Sequence, residues 1–284
     1  MSVLVVCDSG LGGLDIAANL MRNPTPGPVW DLVFLNAYPQ HGRGFNDLPD
    51  SRTRQEVLRC VFEGMRKFAP DQCLLACNTL SVLHEQLRAW YEPPFPVTGI
   101  LDCTTSLLVQ YLRQNPDAKL LLLGTITTIS SGLYQQRLVQ NGIPSAQVAS
   151  LPCPGLATLI EQNPLAPALR QAIAAIARQA RELFADLPAE LGIAFCCTHF
   201  GYATAFWQEE FARQFSCHLE FLNPNQDLTC PGNIASFRYV SRTALNPGQA
   251  EAMSPLFTDD AAPIAKALQH AVADESLFSL PPSF

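Results

Sequence analysis

Short apolar runs alternate with amphipathic stretches along most of this chain. Runs at residues 3–7, 31–35, 72–76 and 97–100 are brief and almost continuously apolar, so they predict buried strands. Between them the apolar positions recur at helical spacing. In residues 52–68, Val57, Leu58, Val61, Phe62 and Met65 fall on one face, with Ser51 placed to cap the helix. A second helical stretch follows Gly13 to about Met21. A third follows Cys77 to about Tyr91, before Pro93, Pro94 and Pro96 interrupt the chain.

The same order then recurs. Residues 119–123, 147–151, 191–196 and 219–222 predict strands. A helix to about Gln140 follows the first of these. Pro167 opens a long helix to about Phe184, with Leu169, Ile173, Ile176, Ala180 and Leu183 turned inward. A further helix is expected near residues 202–215. From Asn225 the pattern is less regular, with loops at Asn246-Pro247-Gly248 and Ser254-Pro255 and a last helix at residues 261–272. Asp8 precedes Cys77 by 69 positions and Thr125 precedes Cys197 by 72, which points to one α/β unit used twice. Strands alternating with helices imply parallel sheets covered on both faces, whose functional groups collect at the carboxyl ends of strands. Asp8, Cys77, Thr125 and Cys197 all stand at such ends, and two units packed by those edges would set Cys77 opposite Cys197.

Composition narrows the function. A formal charge of −7 argues against nucleic acid or an anionic membrane as the main partner, and leaves an anionic small molecule open. The first residues lack a basic leader and no apolar run is long enough to span a membrane, so the ten cysteines are expected as thiols in a reducing cytoplasm. Cys7, Cys60, Cys73 and Cys103 sit in apolar patterns as small hydrophobes. The three lysines, Lys67, Lys119 and Lys266, do not follow strand ends, so a Schiff-base cofactor has no anchor and no cofactor is expected.

The strand exits carry the candidate chemistry. Inverting a carbon centre by proton transfer needs a base on each face, and one thiolate with one thiol satisfies that need. Taken singly, Cys77 and Cys197 each read as core packing; their matching positions before hydrogen-bonding residues favour the paired role. Asp8 and His199 are candidates for moving protons to those thiols, against plainer roles as a helix cap and a surface imidazole. Asn78, Thr79 and Thr198 offer donors for a carboxylate, or ordinary caps. Asp8-Ser9-Gly10-Leu11-Gly12-Gly13 lacks the endings of phosphate or dinucleotide loops. Cys196-Cys197-Thr198-His199 has poor geometry for zinc and no CxxC pair to complete it, so no metal is expected. No GxSxG elbow is present.

These motifs together resemble the glutamate racemase family, within the cofactor-independent aspartate/glutamate racemase superfamily. Asp8-Ser9-Gly10-Leu11-Gly12-Gly13-Leu14 is similar to the family's DSGxGGL, Ala76-Cys77-Asn78-Thr79 to its ACNT, and Cys197-Thr198-His199-Phe200 to its CTHY. Thr125 and Thr128 resemble its threonine-rich substrate loop, and Glu161 lies in a segment similar to the one whose glutamate assists the second cysteine. The resemblance implies Cys77 and Cys197 as the acid/base thiols, with Asp8 assisting the first and His199 and Glu161 the second. Ser9, Gly42, Asn78, Thr79, Thr125, Thr128 and Thr198 would hold the amino acid. It also implies two similar α/β domains with the site between them, residues 1–97 with 217–284 and residues 98–216, and a homodimer as the common assembly. Three positions depart from the family: Asn36-Ala37-Tyr38-Pro39-Gln40-His41-Gly42 replaces an Asp followed by Pro-Tyr-Gly, Asp102-Cys103 replaces Glu-Pro, and Cys196 replaces a glycine. The expected function is racemisation of glutamate for peptidoglycan. Aspartate or another amino acid on the same fold is the alternative, and a silent binding protein the second.

Overall fold

The apolar runs become strands, and those at the centres of the sheets, Ser2–Asp8, Gln72–Leu75, Lys119–Gly124 and Glu190–Cys196, bury most of their residues. The computed structural model describes residues 2–281. In chain order it begins with β1 (Ser2–Asp8), α1 (Leu14–Arg22), β2 (Val29–Asn36), α2 (Ser51–Met65), β3 (Gln72–Leu75), α3 (Asn78–Leu87) and β4 (Val97–Gly99). Then come α4 (Ile100–Gln114), β5 (Lys119–Gly124), α5 (Ile126–Ser130), α6 (Leu133–Gln140), β6 (Val148–Pro152), α7 (Leu156–Gln162), α8 (Pro167–Glu182), β7 (Glu190–Cys196), α9 (Thr204–Ala212) and β8 (His218–Leu222). The last elements are β9 (Asn233–Ser241), α10 (Pro247–Met253) and α11 (Ala262–Gln269).

The chain forms two units, one up to Ile100 together with the residues from Leu228 on, the other Leu101–Asp227. The first contains a five-stranded sheet in the order β4-β3-β1-β2-β9, the second a four-stranded sheet in the order β6-β5-β7-β8. All neighbouring strands are parallel. Written in the other direction, β8-β7-β5-β6 is the same order as β4-β3-β1-β2, so the spacing repeat of the sequence is also a repeat of topology. In both sheets the chain leaves the first strand on one side and returns on the other. This reversal lies between β1 and β3 in one unit and between β5 and β7 in the other, and open α/β sheets bind ligands at the carboxyl ends of such strands.

Each sheet is covered by helices whose apolar faces match it. Val5, Cys7, Val33 and Leu35 pack with Val57, Leu58, Val61 and Phe62 of α2 and Leu80, Leu83 and Leu87 of α3. Leu121, Leu123, Ile193 and Phe195 pack with Leu169, Ile173, Ile176, Ala177 and Ala180 of α8 and Trp207 and Phe211 of α9. Burying each of the Val, Leu, Ile and Phe side chains contributes roughly 1.5–3 kcal/mol.

Several expectations need correction. Leu183 is the residue at which α8 stops, and it is exposed rather than inward. Asp50, not Ser51, caps α2, because its carboxylate accepts the Thr53 N–H at 2.7 Å. Residues 217–227 belong to the second unit, because β8 pairs with β7. Helices α4, α7 and α10 and strand β9 had no counterpart in the pattern. The pairing of β9 with β2 shifts register between Trp30 and Asp31, so that Ile234 and Ser236 pair with consecutive residues. The extra residue breaks the two-residue alternation by which an edge strand is recognised.

Candidate active site

In the first unit, β1 ends in Asp8 and its neighbour β3 leads to Cys77. The Ala76 N–H donates to the Cys7 carbonyl at 2.9 Å, which holds the β3 exit alongside β1 to its last residues. Asp8 is fully buried and its Oδ1 accepts the Gly10 N–H at 2.9 Å. Gly13 is required by close packing: a Cβ there would lie 2.7 Å from the Ala76 Cβ and 2.9 Å from the Asp8 Cβ. Cys77 is 6% exposed and occupies the cap position of α3. Its Sγ lies 3.0 Å from the Ser9 Oγ. Burial, then the nearby Asp8 charge, pushes the Cys77 thiol up to about 12, against hydrogen bonds from Ser9 and the Leu80 N–H that favour the thiolate. Asn78 and Thr79 are buried in the first turn of α3, where helix N–H groups favour anions.

In the second unit the corresponding exits are those of β5 and β7. Gly124 pairs with Cys196, and a Cβ on Gly124 would lie 2.9 Å from the Cys196 carbonyl oxygen. The missing side chain on β5 leaves room for the cysteine on β7, and burial raises the Cys196 thiol far above its usual range. Thr125 caps α5, its Oγ1 accepting the Thr128 N–H at 3.2 Å and lying 3.0 Å from the Thr128 Oγ1. Cys197 follows β7 at the cap position of a tight 3₁₀ turn, residues Thr198–Ala203. The Cys197 Sγ lies 3.7 Å from His199 Nδ1, and His199 Nε2 lies 2.6 Å from Glu161 Oε1 of α7. Burial lowers the tendency of His199 to hold a proton, but Cys197 and Glu161 outweigh it and hold the imidazole well above its ordinary range. An imidazolium donates from both nitrogens, to the sulfur and to the carboxylate. The Asn225 amide donates to the Thr198 carbonyl at 2.9 Å.

The tertiary structure therefore groups Asp8, Ser9 and Cys77, and separately Glu161, His199 and Cys197. Gly42 joins neither group. It is exposed in the turn closed by the Arg43 N–H on the Gln40 carbonyl, with φ of 74°, a conformation that glycine adopts without strain. Of the departures, Asn36 is buried at the end of β2, donating to the Tyr239 hydroxyl at 2.9 Å and accepting the Tyr38 N–H at 3.0 Å. Asp102 pairs with Arg137 on the surface. Glu190, His218 and Glu220 bring possible metal-ligand atoms within 4.8 Å of one another, but at the amino ends of β7 and β8, the far edge of the sheet from Cys197. Asn225 was not singled out by sequence; the Asn-Pro-Asn at the β8 exit was its only signal.

The Asp/Glu/hydantoin racemase family profile matches residues 43–213, well over half of the chain and a span that includes both Cys77 and Cys197. The chain belongs to this family. Among relatives of the family member, a glutamate racemase from Streptococcus equi subsp. equi is 28% identical over 170 residues, 58% of this chain and 59% of that one. The match thus spans less than two thirds of the relative's length. Its fold is similar to that of glutamate racemase from Bacillus anthracis, with a TM-score of 0.68 at 18% identity over 90% of this chain and 93% of the other. It is also similar to glutamate racemase from Francisella tularensis, crystallised in complex with D-glutamate, with a TM-score of 0.65 at 17% identity over 100% and 99% of the two chains. At these identities the structural likeness is one of fold: two parallel sheets with flanking helices.

Proposed function

We propose that this racemase-family member is a cofactor-independent isomerase that interconverts L- and D-glutamate, using Cys77 and Cys197 as its two acid/base thiols. One observation carries the reading. Two sheets of the same strand order each offer a buried cysteine at the strand exit beside the topological reversal, and each cysteine has proton-active neighbours at hydrogen-bonding range.

The chemistry follows from those neighbours. One thiolate removes the α-proton, and the other thiol delivers a proton to the opposite face of the carbanion. For the reverse direction the two exchange roles. Asp8 and Ser9 serve Cys77; the imidazolium of His199, oriented by Glu161, serves Cys197. Asn78, Thr79, Thr125, Thr128 and Thr198 supply hydroxyl, amide and helix-start donors for the substrate carboxylates. No Schiff base is needed in this scheme. The D-glutamate bound to the Francisella tularensis relative supports glutamate as the substrate, and the glutamate racemase names of the relatives support a role in supplying D-glutamate for peptidoglycan in the cytoplasm.

Asn36 favours a second reading, a racemase of aspartate or another amino acid. It places a neutral amide at the carboxyl end of β2, where the family carries a carboxylate. The test is exchange in D2O with each enantiomer of glutamate and aspartate, followed by α-deuterium incorporation and optical rotation with the thiols reduced. Glutamate exchange from both enantiomers is the expected result. Exchange with aspartate alone selects the second reading, and no exchange with any amino acid points to a silent binding protein.

A further inference from the structure

Cys197, Thr198 and His199 lie on a turn, and a turn at a strand exit moves unless something ties it down. The tie is Asn225. This residue is 1% exposed, in the short 3₁₀ turn Pro224–Gln226 that follows β8. Its own backbone is clamped: Pro224 restricts the turn's first torsion, and the Asn223 Oδ1 accepts the Asn225 N–H at 3.2 Å. From that anchored position its Nδ2 donates to the Thr198 carbonyl at 2.9 Å. Strand β8 is the parallel neighbour of β7, so one amide joins the exits of two adjacent strands.

The bond matters because of where its acceptor stands. Thr198 separates the sulfur of Cys197 from the ring of His199. The Sγ–Nδ1 separation of 3.7 Å is already long for a sulfur hydrogen bond, so a few tenths of an ångström of drift in the turn breaks the proton path. The other end of the relay is short and fixed, with Glu161 2.6 Å from His199. Movement of the turn is therefore taken up between His199 and Cys197. A buried amide is also costly unless its hydrogen bonds are made, and an apolar residue of similar volume would fill the same space without that cost.

We propose that Asn225 is a positioning residue for the Cys197 half of the proton-transfer apparatus, holding the Thr198 carbonyl so that His199 stays in register with Cys197. The proposal rests on the two-thiol reading for its catalytic consequence, although its geometric part can be tested without it. The experiment compares the wild-type chain with Asn225→Leu, which keeps the volume and removes the donor. Asn225→Ala is the second variant should the leucine not fold. Reduced protein is treated with iodoacetamide from pH 6 to 9, and alkylation at each cysteine is followed by mass spectrometry, with fragment ions separating Cys196 from Cys197.

The expected result is a change in the Cys197 rate of about threefold or more, with a shifted pH profile, while Cys77 keeps its wild-type rate. In α-deuterium exchange, kcat is expected to fall between about 10- and 100-fold with KM changed much less, the size of effect that small misplacements of reacting groups produce. An unchanged ratio of Cys197 to Cys77 alkylation, or loss at both cysteines in proportion to a lower melting temperature, overturns the proposal. Failure of the wild-type chain to exchange α-deuterium overturns the racemase reading instead, and the alkylation ratio still decides the position of Asn225.

Discussion

The two units use one topology to hold two differently poised thiols. At the β1/β3 exit, Cys77 is surrounded by a hydroxyl, backbone N–H groups and the charge of Asp8, and burial keeps its proton on. At the β5/β7 exit, Cys197 faces an imidazole that Glu161 helps to keep protonated, so its sulfur has a charged donor. Strand order decides where each sulfur stands, and the neighbours decide which groups can exchange a proton with it. Under the two-thiol reading this asymmetry separates the partners of the two sulfurs: a hydroxyl and a buried carboxylate on the Cys77 side, an imidazole backed by Glu161 on the other.

The severest test of the comparison removes each sulfur in turn. Cys77→Ser and Cys197→Ser are each expected to lower α-deuterium exchange by about 10³-fold, within the range that general acid–base groups contribute, with melting temperatures close to wild type. A variant that still racemises at the wild-type rate breaks the assignment of its half. A smaller effect should come from the relay. His199→Asn is expected to slow iodoacetamide alkylation of Cys197 at pH 7 by roughly tenfold, as a charged hydrogen bond to the sulfur is lost, while Cys77 stays slow and unchanged. Equal alkylation of the two cysteines in the wild-type chain would remove the asymmetry altogether.

The mildest test is in stability. A thiol in an unfolded chain titrates near about 8.5, whereas Cys77 is held up at about 12 and burial also raises Cys7, Cys73, Cys153 and Cys196. Below about pH 8.5 both states keep their protons and the stabilisation is complete. Between about 8.5 and 12 the unfolded chain releases protons that the folded chain retains, so unfolding becomes easier as pH rises, by up to about 1.4 kcal/mol per pH unit for each such thiol. Urea melts at pH 8, 9 and 10 should give steadily lower midpoints. A flat series would mean that these sulfurs ionise in the folded state and that the Cys77 environment is less insulated than its burial implies.

Much of this was legible locally. Short apolar runs marked eight strands, most clearly the central ones, because a strand buried on both faces has no room for polar residues. The similar spacings of Asp8 to Cys77 and Thr125 to Cys197, 69 and 72 positions, marked the repeat, and small polar groups after a strand marked the exits. Other features were invisible to any local pattern. The bulged edge strand β9 loses its alternation, and its place beside β2 depends on a chain return of nearly two hundred residues. The boundary at Asp227 depends on β8 choosing β7 as its partner.

The sequence by itself determined eight of the nine strands, most of the helices and the two-fold use of one unit, and it singled out the two cysteines as candidates, because each is written in neighbouring residues. Only the tertiary structure decided which side chains meet them. Ser9 reaches Cys77 across 68 positions, Glu161 reaches His199 across 38 and Asn225 reaches Thr198 across 27. Those contacts follow from strand order and register, which are settled by the packing of whole sheets. They decide the position and the proton-active neighbours of each thiol, and with them the difference between two otherwise matching exits.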